Sequence, residues 1–188
     1  MRHMYRRLKD SLEASQIVDK NGYSYFVHPL TDGVPFMEPG ILREVLNWMK
    51  DVGNFDCDYI VAPESMAIPL AVPLSLELDI PYTVLRKRSY GLPGEVVFQQ
   101  KTGYADSLMS VNGLKKGDRV VILDDVVSTG GTLDAIIKAL RDEVGAVIVD
   151  VLVPVNKNCG TDIVLKDTGV TVKTMVSISI VDGKVKAN

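Results

Sequence analysis

Residues 120–133, which read VVILDDVVSTGGTL, decide the fold of this chain. The first four are apolar and predict a buried β-strand that ends at two adjacent carboxylates, Asp124 and Asp125. A short loop of small and hydroxyl residues, 128–132, comes next. Apolar residues then recur at the spacing of one helix face: Leu133, Ile136, Ile137 and Leu140. The stretch therefore predicts a strand, a loop and a helix in direct succession.

The loop has the features of a phosphate-binding site. Glycine lets the backbone turn tightly and approach a ligand closely, and the unpaired N–H groups at a helix start carry partial positive charge. Together with hydroxyl groups they would form a cradle for a phosphate. The residues that would form it are Ser128, Thr129, Gly130, Gly131 and Thr132. A capped strand–turn–helix without a ligand can show the same local pattern.

Asp124 and Asp125 restrict what such a ligand can be. Two carboxylates would repel a bare phosphate unless the ligand also carries hydroxyl groups that donate to them, or a metal cation. A ribose 5-phosphate meets both demands, with its phosphate in the loop and its two ring hydroxyls on the acids. Two other phosphate loops are excluded, because the chain lacks the lysine of G-x-x-x-x-G-K-[ST] and any G-x-G-x-x-G.

Strand and helix patterns alternate along the chain, which predicts an α/β fold with a twisted, mostly parallel sheet covered on both faces. Helices are expected over about residues 4–14, 39–51 and 69–78, with a further short element near 161–167. Strands besides 120–123 are expected over 59–62, 82–85, 147–155 and 170–180, with a turn at Asp182 and Gly183. Residues 89–112 show no clear periodicity, and irregular stretches longer than about 12–15 residues are usually functional lids or disordered.

Composition predicts one globular domain, residues 1–188. Hydrophobic residues make up 46% and charged residues 24%, as in ordinary globular proteins. A net charge of −3 gives no reason to expect a nucleic acid or a membrane as partner, and no apolar run approaches the ~20 residues of a membrane span. Two distant cysteines, Cys57 and Cys159, are typical of free thiols in the cytoplasm.

The stretch VVILDDVVSTGGTL resembles the phosphoribosyl-pyrophosphate (PRPP) motif of the type I phosphoribosyltransferases. The resemblance extends to the segments YFVHPLTDGVPFMEP, YIVAPESMAIPLA and LRKRSYGLPGEVVFQQKTGY. Over nearly the whole chain it is closest to the archaeal-type hypoxanthine/guanine enzymes. It implies a small hood formed by about residues 17–38 and the C-terminal part, and a mobile lid over about 86–106. It also implies a homodimer that uses PRPP, a purine base and Mg²⁺, with the metal held mainly by PRPP.

The resemblance gives the motif residues their roles. Asp124 and Asp125 would hold the ribose hydroxyls and offset positive charge that develops on the sugar. Residues 128–132 would bind the 5′-phosphate. In the lid, Leu92 to Glu95 and Thr102 to Tyr104 look like the matching pieces of the family.

Two further segments would bind pyrophosphate by the same resemblance. The first follows a predicted strand and consists of Glu64, Ser65, Met66 and Ala67. In the family this loop often contains a cis peptide bond that does not precede proline, and relatives often carry glycine where Ala67 stands. The second is the cationic run Arg86, Lys87 and Arg88, whose Lys87 is also expected to be catalytic. From the residues alone, the first segment could be a plain turn and the second a solvated edge.

The base is expected to meet the hood and the end of one strand. Val34 and Phe36 are candidates for packing against it, although they and their neighbours Tyr25 and Phe26 could equally form the core of the hood. Asn156 and Lys157 are candidates for its polar edge. Relatives often carry glutamate near Asn156, and an amide offers both a donor and an acceptor where glutamate only accepts. His28 and His3 are expected to be structural or superficial.

Three functions follow from this reading. The first is purine salvage by transfer of the phosphoribosyl group to hypoxanthine or guanine, which gives IMP or GMP. The second is the same chemistry with adenine or xanthine. The third is a PRPP-binding regulator without turnover, which the negative charge and the lack of an added basic domain disfavour.

Overall fold

The structure, a computed structural model, describes residues 5–20, 22–101 and 106–188. Its helices are α1 (Arg6–Glu13), α2 (Pro29–Asp32), α3 (Pro39–Val52), α4 (Ile68–Leu78), α5 (Gly131–Lys138) and α6 (Gly160–Thr168), and a π-helical turn, Ala139–Val144, continues α5. Its strands are β1 (Gln16–Lys20), β2 (Tyr23–Val27), β3 (Tyr59–Pro63), β4 (Tyr82–Leu85), β5 (Val96–Lys101), β6 (Asp106–Val111), β7 (Arg119–Leu123), β8 (Val126–Val127), β9 (Val147–Lys157), β10 (Lys173–Val181) and β11 (Lys184–Ala187).

The central sheet is mostly parallel, as predicted. Its strands lie in the order β11-β10-β9-β7-β3-β4, and the short β8 pairs with the end of β9. Neighbouring strands run parallel except β11, which returns antiparallel to β10 through the predicted turn at Asp182 and Gly183. The α/β fold class is therefore confirmed.

Both faces of the sheet are covered, and the side chains of its central strands are therefore buried on both sides. On β7, Val121 and Leu123 belong to one hydrophobic cluster, which also contains residues of α1, α3 and α4. Val120 and Ile122 belong to a second cluster, with residues of α5, α6 and the β5–β6 hairpin. Alternate residues of one strand thus face opposite cores.

Two elements lie ahead of the sheet in the chain, in the segment predicted to form a hood. The antiparallel hairpin β1–β2 pairs Gln16 with Val27 and Lys20 with Tyr23, and the single turn α2 follows. His28 caps α2: its Nδ1 accepts a hydrogen bond from Leu30 N at 3.1 Å, and its Nε2 lies 2.9 Å from Ser11 Oγ. Burial lowers the pKa of His28 to about 4, so the ring is neutral and structural.

The segment without clear periodicity contains regular structure. Residues 89–112 include the antiparallel hairpin β5–β6, in which Phe98 pairs with Met109. The expectation of an irregular stretch was wrong because the inward position at Gln100 is polar, which hides the alternation of buried Phe98 and exposed Gln99. The lid residues Thr102 to Tyr104 lie outside the described residues, as does His3.

The order of the strands places a site. From β3 the chain moves outward to β4, whereas β7, β9 and β10 follow on the other side of β3. The strand order therefore reverses between β3 and β7, and ligands of open α/β sheets bind at the carboxyl ends of the strands beside such a point. The loops that follow β3 and β7 are 64–67 and 124–132, the two segments singled out by the sequence. In the described part of the chain, no helix has the length and apolar character needed to cross a membrane.

Candidate active site

A cavity of about 510 Å³ opens where these loops meet. It brings together most of the residues predicted for the ribose phosphate and part of those predicted for pyrophosphate. Its lining residues are Tyr23, Tyr25, Phe26, Thr31, Asp32, Pro63, Glu64, Ser65, Met66, Lys87, Gln100, Ser107, Asp124, Asp125, Val126, Val127, Ser128, Thr129, Gly130, Thr132, Leu133 and Lys157. Gly131 and Ala67 belong to the same loops but do not line it.

The phosphate loop, residues 128–132, turns into α5 at Gly130. Gly130 has φ +77°, a left-handed conformation that glycine adopts without strain, and it caps α5. Behind the loop, α6 approaches so closely that a Cβ on Gly160 would lie 2.6 Å from Ser128 O. The position of the loop therefore depends on Gly160, which the sequence analysis did not single out. A glycine at a helix start gave no sign of that distant contact.

The acid pair lies at the floor of the cavity, at the end of β7. Asp124 is 7% exposed, and its Oδ1 accepts a hydrogen bond from Asp125 N at 2.9 Å. Burial raises the pKa of Asp124 to about 6, although the charge of Lys87 acts in the opposite direction. Burial and the charge of Asp124 raise the pKa of Asp125 well above its ordinary value. The unliganded site thus penalises full ionisation of the pair, which hydroxyl donors or a cation would relieve.

A third carboxylate faces the same cavity from the hood. Asp32 accepts hydrogen bonds from Tyr25 Oη at 2.6 Å, Thr31 Oγ1 at 2.6 Å and His28 N at 3.1 Å. Its charge contributes to the raised pKa of Asp125. The sequence analysis did not single out Asp32, which precedes Gly33, the left-handed cap of α2. The position of Asp32 at the cavity depends on a tertiary contact.

The predicted pyrophosphate loop contains a backbone feature that is frequent in the family it resembles. The peptide bond between Glu64 and Ser65 is cis. Glu64 Oε2 lies 3.0 Å from Arg86 Nε in an ion pair, and Glu64 Oε1 accepts a hydrogen bond from Lys87 N. The loop is therefore joined to the cationic run through one carboxylate.

Of the three cations in that run, only Lys87 lines the cavity. Arg86 is held by Glu64 and by backbone hydrogen bonds to Ser110 on β6, at 3.0 and 2.7 Å. Arg88 points to Tyr90, with Nε 3.0 Å from its hydroxyl. Adjacent residues of an extended chain point to opposite sides, so the three side chains cannot share one site. The structure gives Arg86 and Arg88 no contact with the cavity, against the expectation for them.

The same alternation separates the two residues predicted for the polar edge of the base. Lys157 is 4% exposed and lines the cavity. Asn156 does not line it, because its side chain points to β10, where Nδ2 lies 3.4 Å from Ser177 Oγ. The expectation that both face the base therefore requires a correction at Asn156.

The hood residues divide in a similar way. Tyr25 and the buried Phe26 line the cavity. Val34 and Phe36 do not line it and are 53% and 67% exposed. The cis bond between Val34 and Pro35 lies between them. In this structure, the aromatic surface that a flat base could meet comes from β2 rather than from residues 34 and 36.

Tyr23 and Gln100 are two further lining residues that the sequence did not reveal. The Tyr23 hydroxyl lies 2.7 Å from Ser128 Oγ and accepts a hydrogen bond from Lys157 Nζ at 2.8 Å. Gln100 Nε2 donates to Thr132 Oγ1 at 3.0 Å. Each belongs to a hairpin far from the phosphate loop in sequence, and each contacts one of its hydroxyls.

The carboxylates suit a metal only in part. Carboxylate oxygens are ligands that Mg²⁺ accepts, but the described residues contain no group of three or more histidines, cysteines or acids arranged to hold a metal ion. Asp124 and Asp125 therefore fit an ion that substrate oxygens and water hold for the most part.

The fold and the site define the class of protein. The family model described as "Phosphoribosyl transferase domain" matches residues 40–182, and the chain belongs to this family. That range contains the pyrophosphate loop, the cationic run, the acid pair and the phosphate loop.

Particular relatives are similar over nearly the full chain. A hypoxanthine/guanine phosphoribosyltransferase of Methanobacterium lacus is 48% identical over 183 residues, which cover 97% of this chain and 96% of the relative. An enzyme of the same name from Methanococcus vannielii is 50% identical over 183 residues, covering 97% and 98%.

Solved structures share the fold at much lower identity. The adenine phosphoribosyltransferase of Rhodothermus marinus superposes with a TM-score of 0.74 at 21% identity, covering 94% of this chain and 99% of that chain. The enzyme of Trypanosoma brucei, solved with AMP, pyrophosphate and ribose-5-phosphate, gives 0.72 at 21% identity, covering 93% and 80%. These structures support the type I phosphoribosyltransferase fold.

Proposed function

We propose that this chain transfers the phosphoribosyl group of PRPP to hypoxanthine or guanine and so salvages purines. One observation carries the proposal: the acid pair, the hydroxyl loop and the pyrophosphate loop line a single cavity at the strand-order reversal. The archaeal relatives, which bear that enzymatic name at about half identity, favour these bases over adenine.

The reaction is a displacement at the anomeric carbon of the ribose. The bond from the carbon to the pyrophosphate oxygen breaks, N9 of the base forms a bond to that carbon, and the imidazole ring of the base loses its N–H proton to a pyrophosphate oxygen or to water. The products are IMP or GMP and pyrophosphate. Positive charge develops on the sugar because the bond to pyrophosphate breaks ahead of the formation of the bond to N9, so catalysis consists mainly of positioning and electrostatic stabilisation.

Asp124 and Asp125 act on the sugar. Their oxygens accept hydrogen bonds from the 2′- and 3′-hydroxyls, and their negative charge offsets the charge that develops on the ring. Ligand hydroxyls replace the hydration that burial removed, so ligand binding favours the ionised pair. The 5′-phosphate accepts hydrogen bonds from the hydroxyl groups of Ser128, Thr129 and Thr132. The start of α5 contributes backbone N–H donors.

Lys87 and the loop 64–67 act on the leaving group. Lys87 lines the cavity together with Glu64, Ser65 and Met66, and its charge acts to lower the pKa of Asp124. A cation in this position stabilises the negative charge that gathers on pyrophosphate as the bond breaks. Mg²⁺, held mainly by oxygens of PRPP and by water beside Asp124 and Asp125, would neutralise further charge on that group.

Lys157 is the residue that we assign to the polar edge of the base. It is buried and, among the described residues, forms no ion pair with a carboxylate. An unpaired buried cation is costly, and an electron-rich oxygen of a 6-oxopurine would compensate for it. Adenine has an amino group at that position, so two hydrogen-bond donors would face each other. The ammonium group of Lys157 therefore favours hypoxanthine and guanine over adenine.

Three further features belong to the proposal. Residues of about 86–106, which include β5, form the lid that excludes water from the reacting sugar. The enzyme acts as a homodimer in the cytoplasm. Arg88, which is exposed and lies away from this cavity, is the cation available to a neighbouring subunit.

The proposal is tested by measuring pyrophosphate release from PRPP and Mg²⁺ with hypoxanthine, guanine, xanthine and adenine in separate reactions. Turnover with hypoxanthine or guanine is expected. Turnover with adenine or xanthine alone would overturn the assignment of the base, and PRPP binding without turnover on any base would overturn the enzymatic assignment.

A further inference from the structure

Tyr23 joins two parts of the cavity that come from distant segments of the chain. Its hydroxyl contacts Ser128 Oγ in the phosphate loop at 2.7 Å and the ammonium nitrogen of Lys157 at 2.8 Å. Tyr23 belongs to β2 of the hood, whereas Lys157 ends β9. All three residues line the cavity. One side chain of the hood therefore connects the base side of the cavity with its phosphate side.

The chemistry of the groups sets the direction of one of these hydrogen bonds. An ammonium group can only donate, so the Tyr23 oxygen accepts the bond from Lys157. Between Tyr23 Oη and Ser128 Oγ, 2.7 Å is an ordinary length for an O–H···O bond, and either hydroxyl can donate it. When the phenol donates, Ser128 keeps its own proton for another acceptor, and the 5′-phosphate of PRPP would be that acceptor.

Lys157 is fixed well enough to anchor this chain of bonds. A second bond from Nζ, to Ser24 O, measures 2.8 Å, and the nitrogen lies 4.1 Å from the centroid of the Tyr23 ring. The residue is 4% exposed, so water competes little for its protons. A donor that carries charge also polarises the groups that follow it in a chain of hydrogen bonds.

We propose that Tyr23 is a positioning residue that directs the Ser128 hydroxyl at the 5′-phosphate of PRPP, with Lys157 as its anchor. This inference rests on one part of the proposed function, namely that the loop 128–132 binds the 5′-phosphate of PRPP. It adds that a lysine assigned to the base also strengthens phosphate binding through two intervening hydroxyls. Tyr23 itself acts through Ser128 and need not touch the substrate.

The test measures the affinity of PRPP with Mg²⁺ by calorimetry, without any base, so that turnover is not required. Tyr23→Phe keeps the ring and removes only the hydroxyl. We expect this variant and Ser128→Ala each to weaken binding roughly 3–10-fold, in keeping with the loss of one hydrogen bond. The effects of substitutions within one chain of hydrogen bonds are not additive. The double variant should therefore bind PRPP no more weakly than Ser128→Ala alone. The control Tyr82→Phe removes a hydroxyl at the exposed start of β4 and should bind as the wild type does.

Two results would overturn the inference. One is an unchanged PRPP affinity in Tyr23→Phe. The other is a double variant whose PRPP affinity falls by the product of the two fold-changes measured for the single variants. Should Tyr23→Phe fail to fold, Lys157→Met takes its place, and its effect on PRPP affinity should largely disappear in the Ser128→Ala background. Wild-type protein that binds PRPP but turns over no base would refute the proposed function and leave this inference standing. Normal turnover by the wild type together with an unchanged PRPP affinity in Tyr23→Phe would refute the inference alone.

Discussion

Gln100 on β5 donates a hydrogen bond from Nε2 to Thr132 Oγ1 across 3.0 Å, and so joins the β5–β6 hairpin to the loop 128–132. An amide nitrogen can only donate, so the Thr132 oxygen accepts and its own proton is available to a phosphate. Gln100 is 4% exposed, which protects the bond from water. In the proposed function, in which β5 belongs to the lid and the loop 128–132 binds phosphate, one side chain therefore links the two.

Replacement of Gln100 should weaken the use of PRPP. Gln100→Leu keeps much of the volume and removes the donor, so the apparent KM for PRPP should rise roughly 2–10-fold, the value of one ordinary hydrogen bond. Steady-state kinetics with PRPP as the varied substrate measure this. The neighbouring Gln99 is exposed and points to the other side of the hairpin, so Gln99→Leu is the matched control. Equal KM values in the two variants would refute the link.

Asp125→Asn should abolish most of the turnover without loss of the fold. The substitution removes a charge and an acceptor at the sugar, while the apolar residues of β7 remain. A decrease in kcat of about 10²–10³-fold is expected, as for other groups that stabilise a transition state electrostatically. Asp142→Asn, at an exposed carboxylate paired with Arg141, is the control and should retain the wild-type rate. A wild-type rate in Asp125→Asn would contradict the role assigned to the acid pair.

The acid pair should also make the unliganded protein less stable as the pH rises. Burial raises the pKa of Asp124 from its ordinary value of 3.8 to about 6 and raises that of Asp125 well above the same value. The folded state thus binds more protons than the unfolded state, so the stabilising contribution present below pH 3.8 is lost as the pH rises through the folded pKa values.

Asp125→Asn should therefore melt at a higher temperature than the wild type at pH 7–8, and the difference should shrink toward pH 4. Thermal unfolding of the two unliganded proteins across this range provides the measurement. His28 and the other titrating groups are common to both proteins, so their effects cancel in the difference. A difference that does not vary with pH, or that has the opposite sign at neutral pH, would contradict the assigned cause.

Gly160→Ala should disturb the phosphate loop from behind. The added Cβ would lie 2.6 Å from Ser128 O and 2.9 Å from Val127 Cγ2, and neither group can move without shifting the loop. A loss of about 1–3 kcal/mol in unfolding free energy is typical of such overpacking, and the KM for PRPP should rise with it. Denaturant unfolding and kinetics measure the two effects.

Gly40→Ala is the control for that substitution. Its Cβ would meet only the flexible end of Arg7, with Nη1 at 3.2 Å, in the first turn of α3. Stability and KM should stay close to those of the wild type. If Gly160→Ala behaves in the same way as Gly40→Ala, the close approach of α6 does not set the position of the loop.

Local patterns in the sequence were sufficient for the parallel sheet and the centre of the site. The run of apolar residues at 120–123 predicts a doubly buried strand, and the acids and glycines that follow it can only lie at its carboxyl end. The reversal of strand order then brings the loop at 64–67 beside them, as a general property of such sheets. These features depend on residues adjacent in the chain.

The site residues that the sequence did not reveal are placed by tertiary contacts. Those that it misplaced lie on the other face of a strand. Tyr23, Gln100 and Gly160 reach the phosphate loop from distant elements, and nothing in their own neighbourhoods marks them. Asn156 was expected beside Lys157 at the base, but adjacent residues of a strand face opposite sides. Recognising that β9 continues through Lys157 would have separated the two.

The central claim is tested most directly by identifying the nucleotide formed from PRPP, Mg²⁺ and hypoxanthine by chromatography and mass spectrometry, with pyrophosphate quantified in the same reaction. The account predicts that the wild type forms IMP and pyrophosphate in equal amounts and that Asp125→Asn forms almost none. Absence of IMP from the wild-type reaction, with PRPP bound and guanine equally unreactive, would contradict it.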